Sequence, residues 1–147
     1  MTSFFDKGTF EELNRRIDAL NKNHKPQWGK MDVAQMLWHC QGPLNIILNH
    51  NDYNLKPNWL VKTFFKKTMY SDKLWRKNLP TISVFKSSES KDFENERRKL
   101  LDLVQELNTH KDRNTWQPHP VFGKLTKAQW GKMQYKHLDH HLRQFGV

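Results

Sequence analysis

Eight histidines in a 147-residue chain are more than packing requires, and three of them fall close together near its end: His137, His140 and His141. On a helix, residues four apart share a face, so His137 and His141 can both reach one metal ion. At about 100° per residue, Trp130, Met133, His137, His141 and Gln144 form one narrow stripe, with His140 pointing away from it and Leu138 to the other side. Two imidazoles do not complete a site, and His39 is the best third ligand. It sits among Met36, Leu37, Trp38 and Cys40 in a segment that must face a core. A buried imidazole without a partner costs about 1–3 kcal/mol, so His39 needs one. His50 and His119 occupy loop or element-end positions and are secondary candidates. The spacing also suits two plainer readings, a histidine pair on a solvated face and a hydrogen-bonded core His39, and leaves them open.

The elements that must carry these residues are helical. Thr9 and Glu12 form a capping-box pattern ahead of Phe10, Leu13, Ile17 and Leu20, a first helix ending near 21–23. Asp32 is the expected N-cap of a second helix over about 32–49, kinked at Pro43; two helices, the second opening at Pro43, are the alternative. A third runs over about 90–107, with Phe93, Leu100, Leu101, Val104 and Leu107 at spacings of three and four. Thr126 with Gln129 opens the last helix. Between the second and third lies a long connection, in which 57–75 reads as a basic amphipathic helix and Thr81–Phe85 alternates like an extended strand. The aromatic side of that helix is expected to pack, leaving Lys62, Lys66 and Lys73 exposed.

Composition bounds the rest. The chain is one domain, 1–147, since domains run at roughly 100–200 residues. It has 25 Lys+Arg against 15 Asp+Glu, a net charge of +10, and the aromatic content of 12% argues against disorder. The excess is local: Lys56–Lys77 holds seven cations against one acid, Asp72, a net +6. No apolar run reaches the roughly 18 residues a membrane span needs. A single cysteine, Cys40, excludes an internal disulfide framework, and the first residues lack a signal-peptide core. A cytoplasmic protein is the expectation. No Gly-rich phosphate loop, nucleophile triad or paired-Cys motif competes with the histidines.

Met36-Leu37-Trp38-His39 and His137-Leu138-Asp139-His140-His141-Leu142-Arg143-Gln144 resemble the DinB/YfiT-like superfamily of metalloenzymes. Trp28-Gly29-Lys30-Met31, His119–Leu125 and the closing Gln144-Phe145-Gly146-Val147 resemble a small bacterial branch of it whose function is unknown. The resemblance implies a four-helix bundle with a long crossover connection, and a metal held by His39, His137 and His141. It also implies a divalent cation, with Zn or Ni ahead of Mn or Fe, and chemistry of the thiol-transfer or hydrolytic kind. Expected partners are a small-molecule substrate such as a low-molecular-weight thiol; a homodimer is compatible, while a membrane or a specific nucleic acid is not expected. Three imidazoles leave a fourth position open, as in catalytic rather than closed structural sites. His119 and Trp28 are expected at the pocket rim. The competing reading is a non-catalytic binding module that uses the basic helix at 57–77, with Trp59, Phe64, Phe65, Tyr70 and Trp75, on nucleic acid or another anionic partner.

Overall fold

The computed structural model describes residues 2–147, and among them there are five α-helices and no strands. They are α1 (Thr9–Asp18), α2 (Val33–Ile47), α3 (Trp59–Tyr70), α4 (Phe93–Thr109) and α5 (Lys127–Gln144). Helices α2 and α1 each pack against both α4 and α5, α2 most extensively along α4, whereas α3 lies against α5.

Two helix starts follow their local chemistry. The Asp32 side chain accepts from Gln35 N while the Gln35 side chain accepts from Asp32 N, and Thr126 and Gln129 repeat the arrangement at α5. Each satisfies amide groups that the first turn leaves unpaired, worth about 1 kcal/mol. At α1 the expectation fails. Gly8, in the left-handed region at φ 83°, precedes the helix, and Thr9 is its first residue, buried without capping. Helix α2 continues through Pro43 as a single element, which settles the two alternatives.

The core joins Leu13 and Ile17 of α1 to Met36, Leu37, Cys40 and Leu44 of α2, Leu100 and Val104 of α4, and Trp130 and Leu142 of α5. Cys40 is a buried hydrophobe beside Met36, and burial pushes its thiol pKa up. Helix α5 is buried on more than one face because α3 covers it. Lys136, 2% exposed, donates from Nζ to the Thr68 and Ser71 carbonyl oxygens at 2.6 and 3.0 Å.

The connection departs from its sequence reading in two places. Helix α3 stops at Tyr70 rather than Trp75, and it packs through half-buried Val61, Met69 and Tyr70. Trp59, Leu60, Phe64 and Phe65 are exposed, so most of the expected packing side faces outward. Lys62 and Lys73 are exposed as expected, but Lys66 is half-buried and donates to the Lys124 carbonyl oxygen. Residues 83–85 form a short 3-10 turn instead of a strand, there being no neighbouring strand to accept one.

Candidate metal centre

Helix α2 carries His39 and α5 carries His137 and His141 to one place between the helices. The three are 4%, 8% and 7% exposed, and one ring nitrogen of each lies within 4.8 Å of the others. His39 Nε2 and His137 Nε2 are 3.0 Å apart. Two nitrogens at zinc–imidazole distance and a tetrahedral angle would be about 3.3 Å apart, so this pair is already at the spacing of ligands to one ion.

The partners of the outer nitrogens set the tautomers. His39 Nδ1 donates to the Phe85 carbonyl oxygen at 2.9 Å. His141 Nδ1 donates to Gln144 Oε1 at 2.8 Å, and Gln144 Nε2 in turn donates to the Trp28 carbonyl oxygen at 2.7 Å. With the proton fixed on Nδ1, the Nε2 lone pair of each ring faces inward, the orientation that outer hydrogen bonds impose on metal-ligating histidines. That of His39 accepts from His137 Nε2, a proton that a cation would displace. The electrostatics agree. Burial lowers the pKa of all three, His141 to about 3, and His137 is pushed down further by its histidine neighbours. Neutral imidazole is the form that binds metal.

The connection closes the site. The Trp75 ring stands edge-on to His137 at 5.9 Å, and the Phe85 ring edge-on to His39 at 6.2 Å. Gly42 admits Phe85: a Cβ there would lie 2.5 Å from a Phe85 ring carbon. His140, which points away from the His137/His141 stripe, sits between Trp28 and Trp75, each at 5.6 Å. Asp139 is committed elsewhere, to Arg16 at 3.0 Å. Trp28 therefore belongs to the site's surroundings. The contributions of Phe85 and Gly42 carry no sequence signal, since a backbone carbonyl from a turn is invisible to side-chain spacing.

His50 and His119 do not join the cluster. His50 is exposed and contacts Glu106 at 2.9 Å. His119 is buried in the loop before α5, where Nδ1 accepts from the Val121 and Phe122 amides at 3.1 and 3.2 Å, and its ring packs on Trp130. Burial, with Lys66 as a lesser cause, holds its pKa at about 4. The unfolded chain takes up this proton near pH 6.5 and the folded chain only near 4, so stability falls as pH drops through that window, by at most about 3 kcal/mol. His119→Asn keeps an acceptor and removes the titration. Urea unfolding at pH 7 and 4.5 should show a smaller acid loss in this variant than in the natural chain; equal losses would contradict the assignment.

An all-helical chain with three buried, convergent histidines is thus the class of protein that fold and site define. The chain belongs to the family described as "Protein of unknown function (DUF1569)", whose family model matches residues 6–146. No curated protein and no solved structure matches it.

Proposed function

We propose that the chain is a metal-dependent enzyme in which His39, His137 and His141 hold one divalent cation, with Zn or Ni the first candidates and Mn or Fe the next. The observation that carries this is the convergence of three buried neutral imidazoles, two of them held with the Nε2 lone pair turned inward by Phe85 and Gln144. Helices α1 and α2, each packed against α4 and α5, are read with them as a four-helix bundle of DinB/YfiT type, and the histidine positions on α2 and α5 support that reading. Three imidazoles are ligands for borderline transition metals and leave coordination positions for a small molecule. A bound cation supplies Lewis acidity, which turns a thiol or a water into a usable nucleophile near neutral pH. The chain's own residues do the rest. Phe85 and Gln144 orient the rings, while Trp75 and Phe85 limit water access. The substrate class favoured is a low-molecular-weight thiol or a small ester or amide, and a cytoplasmic location accords with the lone buried cysteine.

The test is to load the protein separately with Zn, Ni, Mn and Fe and to assay thiol transfer and ester or amide hydrolysis. Metal-dependent turnover that disappears in His141→Ala is the expected result. Turnover equal in that variant, or none with any metal and substrate pair, would leave the cation a structural role at most.

A further inference from the structure

The connection between α2 and α4 holds a surface that the metal centre does not use. All eight large hydrophobic side chains that are exposed among the described residues lie in it: Trp59, Leu60, Phe64 and Phe65 of α3, then Leu74, Leu79, Ile82 and Val84. Trp59 is 72% exposed and Phe64 68%. Leu60 and Phe64 are one turn apart, so they share the outward side of α3, opposite the contact with α5. Helix α3 itself has no buried residue. Soluble surfaces scatter such residues singly; their confinement to one segment marks an interaction site. Within residues 56–86 of it Lys56, Lys62, Lys67, Lys73, Arg76, Lys77 and Lys86 are exposed, and Asp72 is the one acid in that stretch.

We propose that this segment docks on an anionic lipid bilayer surface, with Leu60, Phe64 and Trp59 entering the headgroup boundary and the surrounding lysines facing lipid phosphates. Aromatic and aliphatic side chains beside lysines are the composition of helices that lie in a membrane interface, and basic segments are drawn to anionic leaflets. Charge selects against a second copy of the chain, because two-fold pairing through this face would bring two +6 segments together. The side chains select against single-stranded nucleic acid. Five of the eight are aliphatic, whereas bases stack on aromatic faces. No helix of the described residues is long and apolar enough to cross a membrane, so the contact is peripheral. The expectation of no membrane partner rested on the lack of a spanning run, while the competing reading already gave the basic helix an anionic partner.

The full-length protein is mixed with sedimenting vesicles of phosphatidylcholine alone or with about 30% phosphatidylglycerol, in about 0.1 M NaCl. Binding should be at least about tenfold stronger to the anionic vesicles, and fall about tenfold in Leu60→Ser/Phe64→Ser, which leaves the charge unchanged. Lys62→Gln/Lys67→Gln should also weaken it. Circular dichroism checks folding, and Trp59→Ser replaces the double variant if that one unfolds. Three results would overturn the proposal. One is no preference for anionic vesicles; another is binding indifferent to the apolar substitutions, the mark of a +10 chain acting by charge alone. The third is an oligonucleotide complex or a dimer that depends on Leu60 and Phe64 while vesicles are ignored.

Discussion

Replacing His141 with alanine is expected to abolish stoichiometric binding of zinc, lowering affinity by more than about 100-fold. Loss of an outer hydrogen-bond partner alone typically costs about 10–100-fold, and this substitution removes a ligand itself. It also leaves Gln144 Oε1 without the Nδ1 donor that it accepts from. His39→Ala should behave alike, because its Nε2 is the atom 3.0 Å from His137 Nε2. His140→Ala is the control. His140 neighbours His141 in sequence but packs between Trp28 and Trp75, outside the ligand set, so its loss should leave one ion per chain. Calorimetric titration checks all three variants. Unchanged zinc affinity in His141→Ala would remove this histidine from the site.

Gly42→Ala is expected to weaken metal binding by about 10–100-fold with little change in overall stability. Alanine is favoured over glycine inside a helix by about 1 kcal/mol, so propensity alone predicts a more stable protein. The new Cβ, however, would stand 2.5 Å from Cε1 and 2.8 Å from Cδ1 of Phe85. The ring must move, and the carbonyl of the same residue holds His39 Nδ1. Freed from that acceptor, the His39 ring would lose the orientation that turns Nε2 toward His137 and the proposed ion. Phe85→Leu in the same chain makes room and should recover much of the affinity. Zinc titration with urea unfolding on single and double variants separates the two effects. An undiminished affinity in Gly42→Ala would show that Phe85 does not position His39.

The pairing of His137 with His141 was legible because helical spacing fixes which side chains share a face, whereas His39, on another helix, was indicated by its apolar neighbours and by the family resemblance. Trp130, Met133, His137, His141 and Gln144 are all buried along α5 as that spacing requires. The caps at Asp32 and Thr126 were legible for a similar reason, since each is a contact three residues long. Thr9 offered the same pattern and failed, because Gly8 starts the helix one residue earlier and the threonine is buried. Contacts supplied by the connection were the hidden part. Phe85 reaches His39 across 46 positions through its backbone, and Trp75 reaches the site from beyond the end of α3. The burial of Lys136 is hidden too, because it depends on carbonyls at the far end of α3. In α3, lysines and aromatics alternate closely enough that composition does not say which side meets the bundle.

The most direct measurement is X-ray absorption and metal analysis of zinc-loaded protein purified without a histidine tag. The account predicts one ion per chain with three imidazole nitrogens at about 2.0–2.1 Å and the remaining position held by a ligand from outside the protein. Protein that takes up no ion, or an ion whose fourth ligand is a protein side chain, would contradict it.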